Sequence, residues 1–416
     1  MNLPDGWEIK RLSQLIKSMD AGISLNSENR KAKKGELGIL KTSAVTAGVF
    51  NSDENKVIET SEIGRTKIFP IRNRIIMSRM NTPALVGASA FIPKTRKDLF
   101  LPDRLWQLTP QNDSANMRWL SFVLGSPKYR AKLTSFATGT SDSMKNITKN
   151  DVKSLLIVLP PFSEQKAIAN LLSTWDEAID KIERLIQAKE KIFHHTANYL
   201  LFGHRRSQNI KYSLAESIFF KYPSDWKLVK IGMIAKEINQ RNEEKNIVVL
   251  SCSKYDGFID SLAYFGKQVF SNDTSNYKVI KKGQFGYPCN HVEEGSIGLL
   301  NHCEKGIVSP IYVVFDVDKE KVHPEYLFKL LKTRTFQHIF QVTTSASVSR
   351  RGSLRWKNFS KIKIPLPPIE EQKQIAETLN LAQKEINLLK QLAEKYKLQK
   401  RGLMQKLLTG EWRVEC

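Results

Sequence analysis

Cysteine is scarce in this chain, with four among 416 residues. That is too few for a disulfide scaffold and makes a reducing, cytoplasmic setting the expectation. Long apolar runs are absent as well. No stretch approaches the ~18–20 residues that a membrane span needs. The opening Met1-Asn2-Leu3-Pro4-Asp5-Gly6-Trp7 has no basic-then-apolar leader. Neither a Gly-x-x-x-x-Gly-Lys-Ser/Thr nucleotide loop nor a Gly-x-Gly-x-x-Gly fingerprint occurs. There is also no Asn/Asp-Pro-Pro-Tyr/Phe tetrapeptide of the kind that holds a target base in amino-methyltransferases. These absences argue against a secreted, membrane-spanning or nucleotide-driven chain, and no cofactor is expected within it. The deepest shortage is of acid. Against 65 Lys and Arg stand 42 Asp and Glu, a formal net charge of +23. A hydrophobic fraction of 41% is enough for real cores, and the length allows about two to four domains. The charge excess calls for an anionic partner, most simply nucleic acid.

The excess is unevenly spread. Residues 1–158 carry +11, residues 159–206 carry +1, residues 207–365 carry +9 and residues 366–416 carry +2. The alternation is a duplication. Leu159-Pro160-Pro161-Phe162-Ser163-Glu164-Gln165-Lys166 returns 207 residues later as Leu366-Pro367-Pro368-Ile369-Glu370-Glu371-Gln372-Lys373. Without gaps, Leu159–Gly203 and Leu366–Gly410 share 14 of 45 positions. The basic segments match more faintly. Pro4-Asp5-Gly6-Trp7 is echoed by Pro223-Ser224-Asp225-Trp226, and Trp119-Leu120-Ser121-Phe122 by Tyr326-Leu327-Phe328-Lys329.

The near-neutral segments, 159–206 and 366–416, read as helices. Ile168, Leu172, Trp175, Ile179, Ile182, Ile186, Lys189, Phe193, Thr196 and Leu200 follow an alternating spacing of four and three. Ile375, Leu379, Ala382, Ile386, Leu389, Ala393, Tyr396, Lys400, Leu403 and Leu407 repeat it. A seven-residue period held this long is the coiled-coil pattern. Pro-Pro stands just ahead of each helix, and Glu164 and Glu371 lie in the first turn, where carboxylates suit the dipole. Gly203 and Gly410 occupy the place of a C-terminal glycine. From Glu164 to Leu201 is 38 residues, roughly 57 Å of helix. Each helix could pack on its own domain, or the seam could dimerise with another chain. The expectation here is an intramolecular antiparallel pair. The ends of a compact domain lie close together, so the second helix starts near where the first ended and runs back along it. The basic domains then sit at opposite ends, roughly 50–60 Å apart, related by a pseudo-twofold axis.

The basic segments, 1–158 and 207–365, are expected to be mixed α/β (α+β) domains. Strands are read at Ile75-Ile76-Met77, Ile247-Val248-Val249-Leu250 and Ile311-Tyr312-Val313-Val314-Phe315, and helices at 117–132 and 324–341. Candidate DNA-facing loops combine Gly, Ser and Asn with cations. They supply Arg79 and Asn81; Ser141, Lys145 and Asn146; Asn290 and His291; and Ser347, Arg350 and Arg351. Arg and Asn can pair bidentately with guanine and adenine edges, while Lys mainly binds phosphate. A solvated turn is the alternative for any one of them. The run Arg30-Lys31-Ala32-Lys33-Lys34 is read as facing phosphate or solvent. Cys289, His291, His302 and Cys303 are the one metal-like set, but their spacing matches no standard zinc module. An ordinary strand pair, with no metal, is expected there.

Together these features resemble the specificity subunit of type I DNA restriction–modification enzymes. The residues that carry the resemblance are the two Leu-Pro-Pro-x-x-Glu-Gln-Lys openings, Pro4-Asp5-Gly6-Trp7, and Leu403-Met404-Gln405-Lys406-Leu407-Leu408-Thr409-Gly410-Glu411-Trp412. The stretch from Tyr277-Lys278-Val279-Ile280-Lys281-Lys282-Gly283 to Gly306-Ile307-Val308-Ser309-Pro310-Ile311-Tyr312 is similar to one version of that family's target-recognition domain. The likeness covers essentially the whole chain. It departs at Tyr199-Leu200-Leu201-Phe202-Gly203-His204, where the first helix ends more loosely than the second.

The resemblance implies a non-catalytic subunit that binds double-stranded DNA. Each target-recognition domain reads one half of a split target from the major groove, and the helices act as the ruler for the unread spacer. It also implies two modification subunits, which carry S-adenosylmethionine and methylate adenine, and restriction and translocase subunits that use ATP and Mg2+. Apart from the resemblance, the competing expectation is a coiled-coil scaffold whose basic domains bind protein or RNA.

Overall fold

The computed structural model describes residues 3–112, 114–139, 144–204, 214–244, 247–254, 257–345 and 353–414. The chain divides into two compact units. One is made of Met1–Glu183 with Gln391–Cys416, the other of Arg184–Lys390.

The first unit begins with β1 (Glu8–Arg11), a short helix α1 (Leu12–Leu15) and β2 (Ile16–Ala21). It continues through β3 (Ser27–Glu28), β4 (Gly38–Leu40), β5 (Asn55–Ile58), β6 (Ile75–Ser78), β7 (Met80–Asn81), β8 (Ser89–Phe91), β9 (Leu99–Phe100) and β10 (Leu105–Pro110). Helices α2 (Met117–Gly125) and α3 (Pro127–Ser135) follow, then β11 (Lys145–Asn146), α4 (Lys149–Lys153) and β12 (Leu156–Leu159). The last element before the second unit's strands is the long helix α5 (Phe162–Leu201). The central sheet is antiparallel with order β2-β10-β6-β8, and β12 returns to pair with β1. Strand β6 is buried on both faces, as its unbroken apolar run requires. Ile75 and Met77 pack with Leu108 and with Trp119, Leu120 and Val123 of α2. Ile76 faces the other way, toward Leu40, Val45, Ala90 and Leu105. The single helix expected at 117–132 is two. Ser126 is extended at ψ 151° ahead of Pro127, which opens α3 where its missing N–H costs nothing.

The second unit runs β13 (Leu214–Glu216), β14 (Lys221–Pro223), β15 (Lys227–Lys230), β16 (Ala235–Ile238), β17 (Leu250–Ser253), β18 (Gly257–Asp260) and the short α6 (Ser261–Phe265). Next come β19 (Lys278–Lys281), β20 (Phe285–Pro288), β21 (Gly298–Leu299), β22 (Lys305–Val308) and β23 (Tyr312–Val317). It closes with α7 (Pro324–Leu331), α8 (Arg334–Ser345), α9 (Trp356–Phe359), β24 (Lys363–Leu366) and the long α10 (Ile369–Thr409). The sheet order β16-β23-β20-β21 repeats that of the first unit, and the β15–β24 pair repeats β1–β12. The difference lies in the outer lobe. A four-stranded sheet β3-β5-β4-β9 stands in the first unit, and separate pairs β17–β18 and β19–β22 stand in the second. The strand expected at 247–250 begins its ladder only at Leu250. The helix expected at 324–341 also breaks, at Lys332-Thr333, where the Thr333 hydroxyl accepts the Phe336 N–H at 3.3 Å.

Within each unit the long helices run antiparallel, because the start of one lies beside the end of the other. In the first unit the rings of Trp175 and Tyr396 meet at 5.4 Å, and Glu183 pairs with Lys397 at 2.9 Å. In the second, Lys189 pairs with Glu385 at 2.7 Å and Glu190 with Lys390 at 2.6 Å. The polar breaks in the apolar seam are therefore matched, Lys189 by Glu385 and Lys400 by Asp176. Ile168, Leu172 and Leu407 join the core of the first unit. Ile375, Ala376 and Leu379 join that of the second.

Candidate nucleic-acid interface

The duplicated motifs form a clip between head and helices, built twice. In the first unit the Gln165 side chain accepts the Asn116 N–H at 2.8 Å and donates to the carbonyls of Pro160 and Ser114 at 2.9 and 3.3 Å. In the second, Gln372 accepts the His323 N–H at 2.8 Å and donates to Pro367 and Lys321 at 2.8 and 3.2 Å. The Trp7 indole donates to Glu164 at 3.0 Å, and the Trp226 indole to Glu371 at 3.2 Å. Gly410 and Gly203 end their helices at φ +76° and +67°, and a Cβ on either would lie 2.4 or 2.3 Å from a proline carbon, of Pro4 or Pro223. Both the backbone angle and the close approach require glycine. In the first clip Arg413 also grips Glu164, with Nε at 2.7 Å and Nη2 at 2.9 Å. Trp7, Glu164, Gln165, Trp226 and Gln372 are buried, and they hold each head to its helices.

In the first unit four of the expected DNA-facing residues come together. Strands β7 and β11 form a two-stranded ribbon in which Lys145 is opposite Asn81 and Asn146 opposite Met80. Arg79 stands at its base, held through its main chain by Arg104 and Ile147 at 3.0 Å each. The Arg79 guanidinium is about one-third exposed and lies 3.8 Å from Asp103, and its Nε has no hydrogen-bond partner. The Asn146 Oδ1 is likewise unpartnered. Lys145 reaches back to the Gly139 carbonyl at 2.8 Å. Ser141 lies outside the described residues. Sequence reading missed the neighbours Ser24, Asp103 and Arg104. Ser24 donates to Asp103 at 2.6 Å, and nothing local in the sequence marks residues 79 and 103 as neighbours.

The second unit places Asn290 and His291 at the corresponding point, just after β20. The equivalence is exact in hydrogen bonding: Leu354 N–H donates to Cys289 as Ile147 N–H donates to Arg79. The Asn290 Oδ1 is buried without a partner. The exposed His291 lies 3.2 Å from Glu294 through Nδ1. Lys332 fastens this loop to the β17–β18 hairpin by donating to Gly295 at 2.8 Å and to Lys254 at 2.9 Å. Ser347, Arg350 and Arg351 lie outside the described residues.

Two other expectations meet their geometry here. The cationic run at 30–34 is partly neutralised within the first unit, because Arg30 pairs with Glu28 and Glu36 at 2.8 Å and Lys31 with Asp53 at 2.8 Å. The Cys and His set is not gathered at one point. Cys289 belongs to the main core of its unit, and Cys303 packs against a separate cluster around Leu250 and Phe258. Burial pushes the Cys252 thiol up to about 12 and raises those of Cys289 and Cys303, so none is primed as a thiolate. Among the described residues, the group close enough to share an ion is His291, Glu293 and Glu294. No helix among them is long and apolar enough to cross a membrane.

Comparison with known proteins agrees with this architecture. The family model described as the type I restriction modification DNA specificity domain matches residues 4–191 and again 223–397. The putative type I restriction enzyme MjaX specificity subunit of Methanocaldococcus jannaschii is 24% identical over 99% of this chain and 95% of its own length. The type I restriction enzyme EcoEI specificity subunit of Escherichia coli is 26% identical over 48% of this chain, a match spanning 34% of that protein. The crystal structure of the S subunit of a type I restriction–modification system from M. genitalium superposes with a TM-score of 0.58 at 17% identity, covering 98% of both chains. The twofold match to one family model falls on the two units that the clips organise, and the chain belongs to the type I restriction–modification DNA specificity family.

Proposed function

We propose that this chain reads a bipartite, asymmetric duplex target, one half with each head, and that α5 and α10 set the unread interval. The observation that carries this is the pairing of one scaffold with two sets of side chains. Ile147-to-Arg79 and Leu354-to-Cys289 are the same main-chain bond. The side chains presented there are Arg79 and Asn81 in one head and Asn290 and His291 in the other. A shared frame with different reading groups suits two unlike half-sites. The major groove is the side on which Arg and Asn discriminate among all base pairs.

The chain's own part in this reading is recognition, not catalysis. S-adenosylmethionine, ATP and Mg2+ belong to its partners: two modification subunits that methylate adenine, and restriction and translocase subunits in the larger complex. Leu185, Ile192 and Tyr199 support partner docking, because they recur every seven residues on α5 and stay exposed outside the seam. The complex would act on DNA in the cytoplasm.

The test is genome-wide mapping of methylated adenine in cells with and without this gene. The expected result is a two-part motif with a fixed unread spacer that disappears on deletion. A continuous motif, or none, would overturn the reading. Arg79→Ala should relax one half of the motif only, by about 1–3 kcal/mol of discrimination at the base pair it reads.

A further inference from the structure

We infer that in the first head the reading of bases and the gripping of phosphates are divided between adjacent elements, with Lys128 and Lys132 of α3 as the grip. This rests on the reading that the head binds duplex DNA. Between Asp113 and Asp142 the chain has no acid but carries Arg118, Lys128, Arg130 and Lys132. At the chain's overall acid content, 42 in 416, such a stretch would ordinarily hold two or three. The second half repeats the pattern more strongly, with no acid between Glu325 and Glu370. A segment without carboxylates over this length leaves its exposed cations, Lys128 and Lys132, free of acidic neighbours in the chain.

The geometry singles out α3 within that stretch. The helix is fastened to the loop that leaves the ribbon strand β7, because Arg130 donates to the Ala84 carbonyl at 3.0 Å and Thr134 to that of Pro83 at 3.4 Å. Beyond its C-terminus, Thr138 and Asn146 exchange both main-chain bonds at 2.9 Å, which ties the same segment to β11. So α3 borders the ribbon through both of its strands. Arg130 is turned inward by these bonds. Lys128 and Lys132, four residues apart and therefore on one face, are exposed and have no carboxylate partner among the described residues. Their ammonium nitrogens lie 5.9 and 5.0 Å from the ring centres of Tyr129 and Phe136, contacts that leave the positive charge in place. The 30–34 run differs, since its Arg30 and Lys31 already face carboxylates.

The experiment uses the full chain assembled with its modification subunits and measures binding to duplexes with and without the methylated motif across a salt series. Lys128→Ala/Lys132→Ala should make the slope of log affinity against log salt shallower by about two, at ~0.9 per phosphate contact. Affinity should fall alike on both duplexes, so that their ratio stays within about twofold. Arg30→Ala/Lys31→Ala removes the same charge from the same unit, where both cations already pair with carboxylates, and should change the slope by less than half as much. Equal shifts from the two pairs, an unchanged slope for Lys128→Ala/Lys132→Ala, or a collapse of the ratio would each overturn the division. Failure of the unsubstituted complex to prefer its motif would instead overturn the DNA reading itself.

Discussion

Two glutamines show how much a single side chain can organise. Gln165 and Gln372 are each essentially fully buried, and each joins a helix start to the loop that enters a head helix. Their amides act as acceptor and donor at once, which no carboxylate can do. Gln165→Ala would leave the Asn116 N–H and two carbonyls unpaired. We expect each alanine variant to lose about 1–3 kcal/mol, read as a lower denaturant midpoint. Gln165→Glu should not rescue, because it keeps the acceptor and loses the donor. The Glu-Gln pair was visible in the sequence as a repeated motif, yet its meaning was not. Glu164 does lie in the first turn of α5, where a carboxylate suits the dipole, and there it also receives Trp7 and Arg413. The partners of Glu164 are 157 and 249 residues away, beyond any local pattern.

At the scale of elements, the seam is decided by charge where apolar side chains fail. Asp176 on α5 pairs with Lys400 on α10 and, at 3.0 Å, with Arg118 on α2, whose guanidinium also lies 4.8 Å from the Phe122 ring. Burial lowers the Arg118 pKa, and the carboxylate offsets that cost. One acid thus fixes the helices to each other and to the head. Asp176→Ala strands two cations whose side chains are a fifth to a quarter exposed. That predicts a loss of about 1–3 kcal/mol in thermal unfolding, less than for a fully buried pair. Asp176→Leu with Lys400→Leu should recover much of it, leaving Arg118 as the remaining deficit. The long helices were legible from a heptad period and terminal glycines because helical periodicity is local. The ribbon was not. Its strands have two residues each and join positions 81 and 145, so neither carries a period to read, although Asn81, Lys145 and Asn146 in them and Arg79 beside them could be named as candidates.

For the whole molecule, the proposed reading makes the spacer a property of the two continuous helices, of 40 and 41 residues. Inserting one heptad into each helix, between Glu183 and Arg184 and between Lys390 and Gln391, keeps the seam in phase. The preferred spacer should then lengthen by at most about three base pairs, since seven residues add roughly 10 Å and DNA rises ~3.4 Å per nucleotide. Methylation mapping of the variant reads this directly, and an unchanged spacer would mean that the helices are not the ruler. The same layout has a consequence in time. The first unit needs Gln391–Cys416, yet the whole of Arg184–Lys390 is synthesised in between. At ~5–20 residues per second that is a delay of roughly 10–40 s, during which Ile168 and Leu172 wait on the ribosome without Leu407. A premature stop before Gln391 therefore wounds the earliest-made head, although every codon of that head has been translated correctly.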